Sequence, residues 1–286
     1  MLSELLNIFR LQAKIYNNAQ FCGNWQIKAH ELGQTSFHLV THGQCKMIMK
    51  GHDEEILTPG DLVVFPREME HLLAPLDNDP EKSSGRPMAL VTPNEFKPGT
   101  AILCGLFKFE HKGFNHLLDA LPEVFVIKAL QAPWIEPLLQ QIRNEMLNPQ
   151  ALSEDIINRL SELLFIYALR YQIVHCSQLS FLSLFMNSAL EPALNCIKHR
   201  PEKNWTIESL AQACAMSRTK FSQLFKKISG MTVNEYLTWW RMQLAYSYLK
   251  QGLRIAQVAE KVGYQSEAAF SRTFKKSFSI TPGSLR

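Results

Sequence analysis

Two seven-residue segments, FSQLFKK from Phe221 to Lys227 and FSRTFKK from Phe270 to Lys276, stand 49 residues apart in this 286-residue chain. Both carry side chains suited to hydrogen bonding with nucleic acid. On a helix, Phe221, Leu224 and Phe225 fall at i, i+3 and i+4 and turn toward a core, which leaves Thr219, Ser222, Gln223 and Lys226 facing away. In the second copy Phe270, Thr273 and Phe274 turn inward, and Ala268, Ser271, Arg272 and Lys275 turn outward. Gln can bond adenine through two hydrogen bonds and Arg can do the same with guanine. Ser and Thr serve either base edge, and an Ala or Thr methyl meets that of thymine. Lys226, Lys227, Lys275 and Lys276 lie nearer the helix ends, where ammonium groups meet phosphates and set register without reading sequence.

Each segment needs a scaffold, and the flanking residues supply one. Leu210-Ala211 before the first copy corresponds to Val258-Ala259 before the second, so the repeated unit is longer than the seven residues. Thr206 can cap a helix through Ala213, and Ser217 can cap the next by accepting from the free amides of its first turn. In the second unit Ile255 to Lys261 forms the leading helix, Gly263 relaxes the turn, and Ser266 is the cap. Each unit is a helix-turn-helix. Between them Val233 to Gln251 has the apolar spacing of one long helix, which would hold two reading helices at a fixed separation. For two readers entering successive major grooves on one face of a duplex, that separation is about 34 Å.

Charge is partitioned along the chain. The net of +4 divides into 15 Lys/Arg against 20 Asp/Glu in residues 1–189 and 15 against 6 in residues 190–286, that is −5 and +9. Basicity confined to the repeat-bearing segment is the electrostatic footprint of a nucleic-acid-binding module. The composition, 46% hydrophobic and 20% charged, is that of a folded globular chain long enough for two cores. The run Leu163 to Val174 contains Arg170 and falls short of the ~20 apolar residues that span a bilayer. MLSELLNIFR lacks the basic start of a signal peptide, so the expected location is the cytoplasm. Cys22, Cys45, Cys104, Cys176, Cys196 and Cys214 show no C-x-x-C or zinc-ribbon spacing, which argues against a structural metal and against a secreted disulfide framework. Taken by itself, each reads as a reduced, buried thiol.

The segment from Trp205 onward resembles the DNA-binding domain of AraC/XylS-type transcription regulators. The likeness rests on IESLA at Ile207 to Ala211, SRTKFSQLFK at Ser217 to Lys226, RMQLA at Arg241 to Ala245, IAQVAEKVGY at Ile255 to Tyr264, and FSRTFKK followed by TPGSLR. It departs at Leu285, where the family usually has Tyr. The resemblance implies base contacts at positions matching Thr219, Ser222 and Gln223, and Glu267, Ala268, Ser271 and Arg272. It also implies promoter DNA and RNA polymerase as partners, activation more than repression, and no enzymatic activity.

Residues 25–110 show short apolar runs broken by Gly and Pro, at Phe37 to Val40, Met47 to Met49, Asp61 to Phe65 and Ile102 to Phe109, the pattern of antiparallel strands. SFHLVTHGQCKM and LTPGDLVVFPREMEHLL resemble the two strand motifs of the cupin barrel. The expected fold is therefore mixed: a cupin-like antiparallel β-barrel with flanking helices, then an all-α domain with two helix-turn-helix units joined by a long helix. We place the sensing domain at 1–130, a helical packing or dimerisation region at 131–187, and the DNA-binding domain at 188–286. The cupin likeness makes His38 and His71 candidate metal ligands, but the usual H-x-H pair and acidic partner are missing and two ligands underbind a metal. The alternative is that both histidines hydrogen-bond inside the barrel, and no cofactor is expected. FCGNWQI around Cys22 and ILCGLFKF around Cys104 resemble the reactive-chlorine-responsive activators of this family, which implies a redox-sensing pair provided that the fold brings their Cα atoms within about 7 Å. A small-molecule ligand or a metal in the barrel pocket is the alternative signal. Pro133 to Leu147 and Leu152 to Val174 read as helices that pack on the barrel or join a homodimer, and residues 77–100 read as a long exposed loop.

Overall fold

The computed structural model describes residues 11–28, 34–67, 69–77, 99–109, 115–175 and 181–285. The chain divides into two compact units, one holding residues 11–108 and 121–174, the other residues 1–10, 109–120 and 175–286. Most of the loop expected at residues 77–100, Cys176 and Arg286 lie outside the described residues.

In its described part the first unit is built from nine antiparallel strands, β1 Gln12–Phe21, β2 Ile27–Lys28, β3 Thr35–His42, β4 Cys45–Met49, β5 Glu55–Leu57, β6 Leu62–Phe65, β7 His71–Ala74, β8 Thr100–Lys108 and β9 Phe125–Ile127. They form a five-stranded sheet in the order β1-β8-β3-β6-β9 and a four-stranded sheet in the order β2-β7-β4-β5. One core lies between the sheets: Phe21, Val40, Val63, Phe65, Ile102 and Cys104 from the larger meet Met47, Met49, Leu57 and Leu73 from the smaller. This is the antiparallel barrel expected of a cupin.

β3 does not alternate buried and exposed residues, because both of its faces are covered. His38 and Val40 point between the sheets. Phe37 stacks on Phe107 of β8 with ring centroids 4.6 Å apart, and Phe107 in turn meets Phe165 at 4.7 Å. Gly105 makes this stacking possible, since a Cβ there would lie 2.3 Å from the Phe37 ring. Phe165 belongs to the second of two helices on this outer face, α2 Ile135–Leu147 and α3 Ser153–His175; α1 is Asn115–Asp119 in the other unit. Leu139 and Ile142 of α2 are buried, and Trp134 stacks on Tyr167 of α3 at 4.9 Å. Asp61 buckles the barrel edge: its buried carboxylate accepts from the amides of Thr58 and Ala129, both at 2.9 Å, and from Lys128 Nζ at 3.3 Å.

The second unit is helical in its described part: a 3₁₀ turn Phe181–Met186, α4 Glu191–His199, α5 Ile207–Ala213, α6 Arg218–Ser229, α7 Val233–Lys250, α8 Ile255–Lys261, α9 Glu267–Phe278 and a 3₁₀ turn Pro282–Leu285. Phe225 packs edge-on to Tyr236 at 5.4 Å and Phe181 to Trp239 at 5.0 Å, around the N-terminal part of α7. At its C-terminal part Tyr246, Leu249, Val258, Val262, Phe270 and Phe274 form a second cluster. α7 starts at a reciprocal cap in which Thr232 accepts from the Glu235 amide while Glu235 accepts from that of Thr232. The leading helices and the serine caps of the two units fall where the sequence predicts, and the long helix ends at Lys250, one residue before the expected Gln251.

Candidate nucleic-acid interface and barrel thiol site

The helices expected to read DNA are α6 and α9. Ser217 caps α6 by accepting from the Lys220 amide at 3.3 Å, and Ser266 caps α9 by accepting from the Ala269 amide at 3.2 Å. Phe221, Phe225, Phe270 and Phe274 are buried, so the opposite faces are left to solvent. Thr219, Gln223, Lys226, Glu267, Ala268, Arg272 and Lys275 are exposed. Ser222 and Ser271 are half-buried rather than fully exposed, because each directly follows a buried Phe and shares part of its side of the helix. Leu224 and Thr273, expected inside, are also half-buried; the Thr273 hydroxyl donates back to the Ala269 carbonyl at 3.0 Å. Thr219 and Gln223 lie in the first half of α6, and Ala268 and Arg272 in that of α9. The N-terminal part of a recognition helix is the part that reaches base edges in a major groove. Lys226, Lys227, Lys275 and Lys276 fall in the last turns of their helices. Arg218, at the start of α6, is engaged by Glu208 of α5 at 2.8 Å.

The turns inside the two units differ. Ala215 takes the left-handed conformation in the first, with φ 52°, and Gly263 takes it in the second, with φ 79°. In both, the next amide closes the leading helix, Met216 onto the Ala211 carbonyl and Tyr264 onto that of Ala259, each at 2.9 Å.

Inside the barrel the fold joins three residues that sequence reasoning singled out for separate reasons. His38 and Cys104 are partners across β3 and β8, and His38 Nδ1 lies 3.1 Å from Cys104 Sγ. Its other nitrogen, Nε2, lies 2.9 Å from Nε2 of His71, whose Nδ1 is 2.8 Å from the Met69 carbonyl. That carbonyl only accepts, so His71 Nδ1 carries a proton and its Nε2 is the acceptor. His38 Nε2 must then donate and its Nδ1 must accept, from the Cys104 thiol. The result is a single directed chain: Cys104 S–H to His38, His38 N–H to His71, His71 N–H to Met69. Burial, with His71 beside it, holds the His38 pKa down at about 3, and burial also lowers that of His71, so both rings are neutral. The His71 ring also stacks on Phe65 at 3.9 Å.

This geometry does not suit a metal. The two nitrogens of His38 point to opposite sides, one to sulfur and one to His71, so an ion could not collect all three residues. Among the described residues no group of three or more His, Cys, Asp or Glu side chains is arranged to hold an ion. The two candidate ligands hydrogen-bond to each other instead.

Cys22 is exposed and follows the end of β1, whereas Cys104 is fully buried. Asn17 stands opposite Cys104 and Phe21 opposite Thr100, so Cys22 lies five residues beyond the Cys104 register. At about 3.4 Å per residue that is roughly 17 Å, well past the ~7 Å limit for a disulfide. The condition attached to that pairing is not met in this arrangement. Cys45 is buried in the same core, and burial, with Asp61 nearby, pushes its pKa up to about 12. The pairing of Cys104 with His38 had no local signal in the sequence; it arises from β3–β8 register across 66 residues.

Comparison with known proteins bears on both units. A cupin family model matches residues 1–173 and a helix-turn-helix domain model matches residues 210–286. The chain is 30% identical to an uncharacterized HTH-type transcriptional regulator of Haemophilus influenzae, across all of this chain and 97% of that one. The chain belongs to the AraC-type transcription regulators. It is also 28% identical to the RCS-specific HTH-type transcriptional activator RclR of Escherichia coli, covering this chain fully and 96% of that protein. To the HTH-type transcriptional regulator AlkR of Acinetobacter baylyi it is 30% identical over the whole chain and 98% of the relative. These relatives are regulators, not enzymes, and an AraC-type regulator works by binding DNA. Among the described residues no helix is long and apolar enough to cross a membrane.

Proposed function

We propose that this regulator is a cytoplasmic, promoter-binding activator switched by oxidation of barrel thiols, with reactive chlorine or another oxidant or electrophile as the signal. In this reading residues 1–130 sense, residues 131–187 pack on the barrel and join a homodimer, and residues 188–286 read DNA and meet RNA polymerase. Base reading falls to Thr219, Ser222, Gln223, Glu267, Ala268, Ser271 and Arg272, and phosphate contact to Lys226 and Lys275.

The observation that carries the redox reading is the hydrogen bond from the Cys104 thiol to a neutral imidazole, in a barrel whose rim holds an exposed thiol, Cys22. Hypochlorous acid converts an accessible thiol to a sulfenyl chloride and water; a second thiol sulfur then displaces chloride to give a disulfide. For Cys104 to be that second thiol its proton must leave, and His38 Nδ1 is the acceptor aligned with it, competent once opening of the barrel admits water and relieves the burial that holds its pKa near 3. Because Cys22 lies beyond the Cys104 register, the bond can close only if β1 releases β8 over Asn17 to Phe21. Oxidation would thus trade strand pairing for a covalent link, a two-state change in the barrel. The kinship with an RCS-specific activator supports the same reading.

The homodimer is supported by α3. Ile156, Leu163, Ile166 and Val174 are 38–64% exposed and recur down one side of the helix, and Leu152, just before it, is 70% exposed. Glu154 and Asp155 lie at its start and Arg170 and His175 near its end. Antiparallel pairing with a second copy would bury the stripe and bring opposite charges together.

The test is peptide mapping of the reduced full-length protein before and after near-stoichiometric hypochlorite. Modification of Cys22 ahead of the other thiols, followed by a Cys22–Cys104 disulfide that a His38→Gln variant forms more slowly, is the expected result. Slow and uniform reaction of all six cysteines would overturn the redox reading and turn the search to ligands of the barrel.

A further inference from the structure

The two helix-turn-helix units share α7, but a shared helix does not by itself fix how two reading helices face a duplex. Each unit has its own aromatic cluster, around Tyr236 at one end of α7 and around Tyr246 at the other. Between these clusters lies Arg241, a half-buried guanidinium. Its Nε donates to the Pro201 carbonyl at 2.7 Å and its Nη2 to the Lys203 carbonyl at 2.9 Å. These carbonyls belong to the loop that leads into α5 of the first unit. The loop is itself tightly folded: the Trp205 indole donates to the Arg200 carbonyl at 2.9 Å, and Lys203 Nζ lies over the Trp205 ring at 4.1 Å.

The turn of the second unit closes on the same place. A Cβ at Gly263 would lie 2.5 Å from the Glu202 carbonyl oxygen and 2.7 Å from Arg241 Nη2. Three elements therefore converge on one guanidinium: the loop leading into the first unit, the long helix, and the turn that immediately precedes α9 of the second. Arg is suited to this junction because its planar, permanently charged fork holds several carbonyls in fixed directions at once.

We propose that Arg241 is the positioning residue that fixes the separation and relative rotation of α6 and α9, and hence the spacing between the two half-sites that the regulator accepts. The proposal rests on the reading of α6 and α9 as the two base-reading helices. Each inserted base pair shifts one half-site by about 3.4 Å and rotates it by about 34° around the duplex. A rigid pair of readers cannot follow such a shift, whereas a pair joined only by α7 can bend and twist toward it.

The experiment uses a duplex selected by the full-length wild-type protein from a randomised 30-base-pair pool. Derivatives carry one or two base pairs inserted between the half-sites, and a further duplex carries one half-site alone. Binding is followed by fluorescence anisotropy at one fixed salt concentration. Wild type is expected to lose at least about thirtyfold in affinity for one inserted pair. Arg241→Met is expected to weaken binding at native spacing by about tenfold, to keep half-site affinity within about twofold, and to flatten the spacing penalty to a few fold. Arg241→Lys, which keeps the charge and part of the hydrogen bonding, falls between and carries the test should the Met variant fail to fold. Gly263→Ala, which retains the Arg241 side chain but crowds both the guanidinium and the same loop, is expected to flatten the profile as well.

A spacing penalty in the Arg241 variants equal to that of wild type would overturn the proposal, as would parallel loss of half-site and full-site binding in folded protein. Failure of the wild type to select any sequence would overturn the base-reading assignment, and this inference with it. Selection with an unchanged spacing profile would overturn this inference alone.

Discussion

Exchange of glycine and alanine at the two turns has opposite expected consequences. At Gly263 an Ala side chain meets two obstacles. A φ of 79° is left-handed, and an L residue is strained there by about 1 kcal/mol relative to Gly. The added Cβ also lies 2.5 Å from the Glu202 carbonyl oxygen, so the loop must retreat. Loss of one hydrogen bond from the Arg241 guanidinium to that loop removes a further ~2 kcal/mol, the range for bonds involving a charged group. The sum is about 3 kcal/mol. At Ala215 the φ of 52° is already strained, so Ala215→Gly relieves about 1 kcal/mol and gives back part of it through the freer unfolded chain. The expected net is a gain of about half a kcal/mol. Native-state hydrogen exchange on the full chain, read by mass spectrometry over peptides from α7 and α8, measures the opening free energy of the reader without assuming that both units unfold together. Gly263→Ala should speed exchange of the slowest amides roughly a hundredfold, since each 1.4 kcal/mol is a factor of ten. A loss below about 1 kcal/mol would show that the loop yields freely and that the close approach carries no energy. A loss on Ala215→Gly would refute the assignment of strain to that turn.

Other outcomes follow from the same geometry. Arg272→Ala should weaken a cognate duplex by roughly 1–3 kcal/mol and relax preference at one base pair, whereas Lys275→Ala should weaken all sequences alike and flatten the salt dependence; equal behaviour of the two in competition binding would contradict the groove-facing assignment. The His38 pKa is held near 3 in the folded barrel and is about 6.5 in the unfolded chain, so protons bind the unfolded state first as pH falls below 6.5. Stability present at neutral pH is then lost on acidification, by about 2 kcal/mol between pH 7 and pH 5 from His38 alone, with His71 steepening the fall. Urea denaturation at the two pH values should show this, and His38→Gln should reduce the dependence; an unchanged profile would mean the imidazole is not buried and neutral. Leu163→Arg, on the exposed side of α3, should shift a dimer to monomer in analytical ultracentrifugation with no loss of helix content, and a sedimentation profile identical to that of wild type would remove α3 from the interface.

The helix-turn-helix half was legible because its determinants are local. Serine and threonine caps, a glycine turn and phenylalanines at i, i+4 specify helix bounds through interactions within a few residues, and the bounds of α5 to α9 follow from them. The barrel strands with dense apolar runs were legible too, but β1 was not. QAKIYNNAQF mixes Asn17 and Asn18 into its strand and carries a register shift between Ile15 and Asn17, so neither alternation nor a continuous apolar run announces it. β3 was readable as a strand but not for its faces, since only the packing of α3 explains why Phe37 and His38 are both buried. The chemistry divides in the same way. Residue type and helical spacing marked Gln223 and Arg272 as hydrogen-bonding groups, whereas resemblance to the cupin motifs and to the reactive-chlorine-responsive activators singled out His38, His71, Cys22 and Cys104. Strand register put Cys104 against His38 and carried Cys22 away from it, because pairing between β8 and its neighbours is set by burial of whole faces and by chain segments far apart in sequence. Arg241 sits in a motif that the sequence displays, yet its carbonyl partners lie 38 and 40 residues earlier in the chain. A side chain's identity states what it can bond; which groups it does bond was decided by the tertiary structure.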